Sequence, residues 1–224
     1  MEAAKLLDPP PGRVLVLAPH PDDETCGLGG TLRRHRNNGD PVTVLFITDG
    51  RNGDPEFRFG EDLVEIRKRE ALAAAEVLGG LETAFLGFPD NLEASEQDLI
   101  MVAGRIEECV ERVRPELVYV PWVEDAHGDH RNTRLALDRI AAPSQPFRVL
   151  EYELWAPLPA DFVVDIGDVV EQKREAIACY PSQTAYTDYA HHILGLNAHR
   201  AAFLPKGGGR YAEGFREGRL GEFR

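Results

Sequence analysis

The chain has 224 residues and a formal net charge of −13, with 43% hydrophobic and 28% charged residues. This size and composition predict one globular domain spanning residues 1–224, long enough to bury a sizeable core. The acidic charge argues against nucleic acid or an anionic membrane surface as partners, because both would repel the protein. No run approaches about 20 apolar residues and the opening segment lacks a signal-like apolar stretch, so we expect a cytoplasmic protein.

Strands and helices alternate along the sequence. Short apolar runs predict buried parallel strands at 14–17, 42–48, 83–88 and 117–122, with later strands at 149–155 and 162–166. Helices are predicted up to about residue 37 and at 63–78, 95–114, 131–141 and 169–179. Residues 1–12 are expected to be a loose lead-in, and the tail is mixed. This alternation predicts an α/β fold with a doubly wound, mostly parallel sheet, helices on both faces and a strand order near 3-2-1-4-5.

Two local features accompany this pattern. In the second helix, the spacing predicts that Ile66, Leu72, Ala73 and Val77 face the core. The polar stretch 51–62 predicts a long loop at the same sheet edge as the end of the first strand, and a loop of this length is usually functional or disordered.

The first predicted strand ends in a concentration of charge that core packing does not explain. His20, Asp22 and Asp23 follow it directly, and prolines flank the histidine on both sides. Each proline fixes its own φ and restricts the residue before it, so the turn is stiff and can direct His20 and Asp23 to a common point. An imidazole nitrogen and a carboxylate oxygen are ligands that suit zinc, which would take a third ligand from elsewhere in the chain.

A second polar segment, His127-Gly128-Asp129-His130, follows the fourth predicted strand. In the expected strand order the first and fourth strands are neighbours, and ligands bind at the carboxyl ends of such strands. Either segment alone could be a capped strand-to-helix turn with solvated acids. Together they predict a metal site to which both segments contribute.

These segments carry a family resemblance. The run from Ala18 to Glu24, APHPDDE, resembles the (P/A)HPDDE signature of the LmbE-like, or PIG-L, family of zinc-dependent N-deacetylases, and HGDH resembles its HxDH motif. Weaker matches follow in the expected order at 46–50, at 67–70 with 78–79, at 182–183 and at 211–215. The resemblance implies a Rossmann-like fold and removal of an N-acetyl group from an N-acetylglucosamine-type amino sugar or glycoside.

The resemblance also implies a ligand set and a base. His20, Asp23 and His130 would hold Zn²⁺, and Asp22 would accept the proton of the attacking water. Sequence chemistry alone does not separate the two adjacent acids, and Fe²⁺ or another divalent ion would also suit a site of two histidines and one aspartate. Glu24 is expected only to favour the N-terminus of its helix.

Further roles follow for the second segment. His127 is expected across the reacting carbonyl, where it could stabilise the oxyanion or protonate the leaving amine. Asp129 is expected to orient a histidine, with helix capping ahead of Arg131 as the alternative. Asp125 stands where some members have a tyrosine, a departure that puts the roles expected of His127 in doubt and argues against a simple transfer of substrate.

Two positions are expected to bind substrate. Arg67 and Asp90 match positions that contact sugar hydroxyls in the family, although Arg67 lies in a highly charged helix where such residues are often solvated or paired.

Other functions stay open at this point. They are amide hydrolysis of another small N-acyl compound such as a thiol conjugate, and a catalytically silent metal-binding member of the fold. A nucleotide-binding regulator is disfavoured, because Gly27, Gly29 and Gly30 follow HPDDE instead of following the strand directly. The expected partner is a small-molecule amino sugar, and assembly into a homo-oligomer is left open.

Overall fold

The computed structural model describes residues 5–6, 8–91 and 95–223 of the chain. Within these ranges there are eight strands: β1 (Lys5–Leu6), β2 (Val14–Ala18), β3 (Val42–Thr48), β4 (Glu82–Phe88), β5 (Leu117–Pro121), β6 (Arg148–Tyr152), β7 (Phe162–Asp165) and β8 (Ala212–Gly218). The α-helices of the same ranges are α1 (Asp23–Asn37), α2 (Leu63–Val77), α3 (Glu96–Val113), α4 (Gly128–Leu137), α5 (Val170–Ala178), α6 (Pro181–Thr184) and α7 (Tyr189–Arg200). Short 3₁₀ turns lie at Gly60–Asp62 and Ala201–Phe203.

All of these strands belong to one sheet, ordered β1-β7-β8-β6-β5-β2-β3-β4. The run β4-β3-β2-β5-β6 is parallel throughout and confirms the predicted order 3-2-1-4-5. β8 is antiparallel to both of its neighbours, β6 and β7, while β1 pairs with β7 in parallel. The fold is therefore α/β with a mostly parallel sheet.

The core lies on both faces of the sheet. Along β2, Val14, Val16 and Ala18 pack on one face with residues of α1, α2 and α5, while Leu15 and Leu17 pack on the other with α3 and α4. Because helices cover both faces, every residue of β2 is buried, which explains why the strand is a continuous apolar run. The connections after β2 and β5 thus leave to opposite faces and open a crevice between the two strand ends.

The predicted inward face of α2 is only partly right: Ile66 is half-buried and Val77 packs against the core, but Leu72 and Ala73 do not. Leu72 is 49% exposed and Ala73 is also exposed, whereas the buried side of the helix includes Arg67 and Glu70. Both polar side chains have buried partners: Arg67 pairs with Asp22, and Glu70 accepts hydrogen bonds from Ser182. Both polar residues face inward because their partners, Asp22 and Ser182, are themselves buried.

Helix α1 is interrupted at Leu28, whose φ of −144° is not helical. The N–H groups of Gly30 and Thr31 donate to the Glu213 carboxylate of β8 at 3.0 and 2.7 Å. The Nζ of Lys173 lies 2.6 Å from the same carboxylate and donates to the carbonyl of Cys26 at 2.8 Å. A buried ion pair therefore binds both sides of the interruption.

Two further elements differ from expectation. α4 begins at Gly128 instead of Arg131, so the HGDH segment forms its first turn. β8 and the short β1 lie in the tail and the lead-in, where no strand was expected. No helix within the described ranges combines the length and the apolar character needed to span a bilayer.

Candidate metal centre

The turn after β2 places His20, Asp22 and Asp23 at the crevice. Asp22 has a φ of 136°, a region that a residue with a side chain rarely adopts, and α1 begins at the next residue. The backbone N–H of His20 donates to Asp23 Oδ2 at 2.8 Å, and the Nδ1 of the same histidine lies 3.0 Å from that oxygen. The stiff turn predicted from the two prolines thus directs His20 and Asp23 to one point.

The HGDH segment reaches the same point from β5. His127 caps α4, because its Nδ1 accepts the backbone N–H of Asp129 at 3.2 Å. The capping alternative for Asp129 is therefore wrong. The first turn of α4 then carries His130 inward, where its Nε2 lies 3.3 Å from Asp23 Oδ2.

Donor atoms of four residues converge here. Asp23 Oδ2 lies between His20 Nδ1 and His130 Nε2, and His20, His127 and His130 each offer a nitrogen within 4.8 Å of the others. Among the described residues, neither ring nitrogen of the buried His130 has a hydrogen bond of good geometry. A buried polar atom without such a partner is costly, and a cation between His130 and Asp23 would provide a partner for Nε2. Nitrogen and oxygen donors at this spacing fit a divalent ion such as zinc.

Carboxylates face the outer nitrogens of two of these histidines. His20 Nε2 lies 2.9 Å from Asp90 Oδ1 and 3.1 Å from Asp129 Oδ2. His130 Nδ1 lies 3.2 Å from Asp125 Oδ1. A carboxylate on the outer nitrogen favours a proton there and leaves the inner nitrogen free to bind a metal.

The electrostatics separate the two adjacent acids. Burial raises the pKa of Asp22 to about 7, against the opposing effect of the nearby Arg67. Burial acts in the same direction on Asp23, but His130 and His20 beside it hold the pKa of Asp23 well below its usual range. Asp23 is therefore the permanent anion of the pair, while Asp22 is the carboxyl that can exchange a proton near neutral pH.

The pKa values of His130 and His127 shift in opposite directions. Burial acts to lower the pKa of His130, but Asp23 and Asp125 raise it to about 9. Burial and the neighbouring His20 and His130 lower the pKa of His127, which favours its neutral imidazole.

Arg67 and Asp90 both lie in the wall of the crevice. The Arg67 guanidinium lies 3.1 Å from Asp22 Oδ2 and donates to the carbonyls of Pro21 and Gly50 at 2.6 and 2.9 Å. Asp90 contacts His20 and also accepts the backbone N–H of Asn52 at 3.0 Å. Each of these side chains is thus held by protein groups at the edge of the cavity.

A cavity of about 270 Å³ opens above these groups. The residues that line it are His20, Asp22, Asp23, Asn52, Gly53, Arg67, Asp90, Asn91, His127, Trp155, Gln183 and Tyr189. Most of these residues are polar, and Trp155 and Tyr189 contribute aromatic surface. The arrangement can hold a cation, a carboxyl group that exchanges protons and a small polar molecule in one place.

Comparison with known proteins identifies the family of this chain. The sequence profile of PIG-L, described as GlcNAc-PI de-N-acetylase, matches residues 15–141, a region that contains both polar segments. The chain belongs to the PIG-L family.

Several PIG-L family relatives match over most of the chain. A diacetylchitobiose deacetylase of Thermococcus kodakarensis is 28% identical over 91% of this chain and 82% of its own length. A probable N-acetyl-alpha-D-glucosaminyl L-malate deacetylase 2 of Bacillus cereus is 34% identical over 76% of this chain and 83% of its own length. The solved structure of N,N'-diacetylchitobiose deacetylase from Pyrococcus horikoshii has a TM-score of 0.80 and 26% identity, covering 94% of this chain and 85% of that one.

One relative has a different chemistry. A 4-oxalmesaconate hydratase of Pseudomonas putida is 26% identical over 82% of this chain and 78% of its own length. Membership of the PIG-L family therefore does not by itself fix the reaction, and the site residues must carry that assignment.

Sequence reasoning missed several residues of this PIG-L site. Asn52 lies in the loop that was expected at the site edge, but Trp155 and Tyr189 gave no signal that separates them from core aromatics. Glu24 is only 1% exposed and accepts hydrogen bonds from Tyr180 Oη at 2.6 Å and from the backbone N–H of Asp22 at 3.2 Å. Its side chain supports the turn directly and does more than favour a helix end.

Proposed function

We propose that this PIG-L protein is a metal-dependent hydrolase that removes the N-acetyl group of an N-acetylglucosamine-type amino sugar or glycoside, releasing acetate and a free amine. One observation carries the proposal: His20, Asp23 and His130 converge beside a carboxyl, Asp22, that can exchange a proton near pH 7. Two relatives of which this chain covers more than four fifths support the same substrate class. They are named as deacetylases of diacetylchitobiose and, as a probable activity, of N-acetyl-alpha-D-glucosaminyl L-malate.

We propose His20, Asp23 and His130 as the metal ligands and Zn²⁺ as the ion, with Fe²⁺ as the alternative. When bound, the ion would supply Lewis acidity, which polarises the substrate carbonyl and lowers the pKa of water. Asp129 and Asp90 would hold His20 through its outer nitrogen, and Asp125 would do the same for His130.

The chain's own groups would handle the protons. Asp22 would accept a proton from the water as its oxygen bonds to the carbonyl carbon, with Arg67 holding the carboxylate in place. His127 would stabilise the developing oxyanion or pass a proton to the amine as the C–N bond breaks. The lowered pKa of His127 favours stabilisation of the oxyanion in the resting site. A neutral imidazole can donate a hydrogen bond through its N–H, but it carries no extra proton to pass to the amine.

Substrate binding would use the cavity wall. Arg67 and Asp90 are proposed to contact sugar hydroxyls, alongside the polar groups of Asn52 and Gln183 that line the same cavity. A cavity of about 270 Å³ has room for one sugar unit. We also propose that residues 1–224 form a single deacetylase domain that works in the cytoplasm on a small molecule.

Removal of metal tests the proposal. Protein treated with a chelator should release no acetate from N-acetylglucosamine, diacetylchitobiose or simple glycosides of N-acetylglucosamine, and added Zn²⁺ should restore release because the carbonyl is again polarised. Liberated amine and acetate are measured in parallel. Full turnover by metal-free protein would exclude the mechanism, and turnover of thiol-conjugate N-acyl compounds alone would favour the amidase alternative. Metal binding without turnover of any of these compounds would favour the silent scaffold.

A further inference from the structure

Asp125 occupies a junction between the metal centre and the cavity wall. Its side chain is buried, at 2% exposure for the residue, in the segment between β5 and α4. Oδ1 accepts the backbone N–H of His127 at 3.0 Å and lies 3.2 Å from His130 Nδ1. Oδ2 accepts the backbone N–H groups of Trp155 and Ala156 at 3.0 and 3.3 Å. One carboxylate thus contacts two separate segments of the site.

The contact of Oδ1 bears on the chemistry of His130. A carboxylate at Nδ1 stabilises the tautomer with its proton on Nδ1, so the lone pair lies on Nε2, the nitrogen that faces Asp23. His20 has its own outer carboxylates in Asp90 and Asp129, so among the described residues the imidazole ring that Asp125 contacts is that of His130, while His127 meets it only through its backbone N–H.

The contacts of Oδ2 bear on the shape of the cavity. Trp155 lines the cavity, is 40% exposed, and packs edge-on against Tyr189 with ring centroids 5.6 Å apart. The backbone N–H groups of Trp155 and Ala156 donate to the Asp125 carboxylate. Asp125 therefore connects the aromatic wall to the segment that carries His127 and His130.

We propose that Asp125 is a positioning residue that orients His130 for metal binding and at the same time fixes the aromatic wall formed by Trp155. This inference rests on the ligand set of the proposed function. Asp125 acts through other residues, because both of its oxygens already accept hydrogen bonds from protein groups and it is not among the residues that line the cavity.

The variant Asp125→Asn tests both halves. An amide has no negative charge and keeps only one acceptor oxygen, so its contact with His130 Nδ1 is weaker even when that oxygen faces the ring, and its NH₂ group then faces the N–H groups of the wall. We expect zinc affinity to fall by about 10- to 100-fold, the usual effect of losing such an outer partner, and KM for the N-acetyl sugar to rise severalfold. Affinity is measured by competition with a chromophoric chelator on protein shown to be folded by circular dichroism.

Two matched variants separate the effects. Glu124→Gln changes an exposed acid next to Asp125 and should leave affinity and KM at their wild-type values. Trp155→Ala removes the wall alone and should raise KM without changing zinc affinity. Unchanged affinity in Asp125→Asn would overturn the role toward His130, and unchanged KM would overturn the role toward the wall.

A measurement on the wild type covers the case in which Asp125→Asn does not fold. In a ¹⁵N–¹H spectrum of the zinc-loaded protein, we expect the His130 ring proton on Nδ1, and a proton on Nε2 would overturn the proposal. A separate variant distinguishes failure of the proposed metal centre from failure of this inference. If His130 is not a ligand, His130→Ala retains wild-type zinc affinity; if only the inference fails, His130→Ala still loses it.

Discussion

At the scale of single residues, Asp22 shows how the surroundings can impose a costly backbone conformation. Its φ of 136° is maintained by partners on both sides: Glu24 Oε2 accepts its N–H, and its own carbonyl accepts the N–H groups of Thr25 and Cys26 at 3.1 and 2.9 Å. Strain of this kind clusters at functional sites and persists where the surrounding structure enforces it. Here it directs the carboxyl toward Arg67 and the cavity.

Asp22→Asn should keep the metal and lose turnover. The amide has nearly the same shape, and asparagine tolerates positive φ, so the turn should survive. An amide accepts no proton from water, so kcat should fall by about 10²-fold or more. Metal content by mass spectrometry and kcat on the same sample check this. Full activity would move the base to another residue.

Glu24→Gln should reduce kcat with little change in KM. Glu24 accepts hydrogen bonds from Tyr180, Thr25 and the backbone of Asp22, and an amide with one acceptor oxygen cannot accept all of them. The resulting shift of Asp22 should lower kcat by up to about 10²-fold for a displacement near 1 Å. Tyr180→Phe, which removes one of these bonds, should have a smaller effect in the same direction. Wild-type kcat in both variants would contradict a role of Glu24 in positioning Asp22.

At the scale of elements, α1 consists of two short helical parts joined by interactions from elsewhere in the fold. Glu213 of β8 accepts the N–H groups that follow the interruption, and Lys173 of α5 binds the carbonyl before it. The Lys173 and Glu213 side chains are both fully buried. The first part of α1 carries Asp23, so this ion pair supports the proposed metal centre through the helix.

Lys173→Met should destabilise the fold strongly. It leaves the buried Glu213 carboxylate without its cation, and breaking one partner of such a pair costs about 3–5 kcal/mol in the free energy of unfolding. Urea denaturation at pH 7 measures the loss. The exposed pair Arg148–Glu217 gives the control, because Arg148→Ala should cost less than about 1 kcal/mol. Equal losses in the two variants would show that burial of the pair does not determine its contribution to the free energy of unfolding.

The elements also show what sequence patterns can predict and where they fail. Apolar runs located β2, β3 and β5, and parallel topology then brought His20 and His130 to one crevice. The same hydrophobic criterion failed for α2, because Arg67 and Glu70 face inward to buried polar partners. It also missed β8, whose alternation is broken by the buried Glu213. Patterns of hydrophobicity do not predict polar groups that are buried because they pair with a residue distant in the sequence.

At the scale of the whole molecule, the two-sided core also includes buried titratable groups that do not line the cavity. His35 near the end of α1 is fully buried, with Nδ1 2.8 Å from Asp40 Oδ2 and Nε2 3.0 Å from Tyr119 Oη. Burial lowers the pKa of His35, although Asp40 acts in the opposite direction. The folded state therefore takes up a proton at this site less readily than the unfolded chain does.

This difference predicts a pH dependence of stability. The unfolded histidine titrates near about pH 6.5, so its contribution is fully present above that pH and is lost as the pH falls toward the lower folded pKa. Wild type should lose stability relative to His35→Gln between about pH 7 and 5, measured by urea denaturation of metal-free protein. The exposed His199→Gln is the control. A difference between wild type and His35→Gln that is independent of pH would contradict the prediction.

The position of β8 has a consequence for how the protein is made. β8 lies between β6 and β7 in the sheet, yet the ribosome adds it after both of them and after helices α5, α6 and α7. A nascent chain that has emerged only as far as α7 has two unpaired strand edges and a Lys173 without its anion. Closure of the sheet, and with it the full support of the turn that carries Asp23, must await translation of residues 212–218.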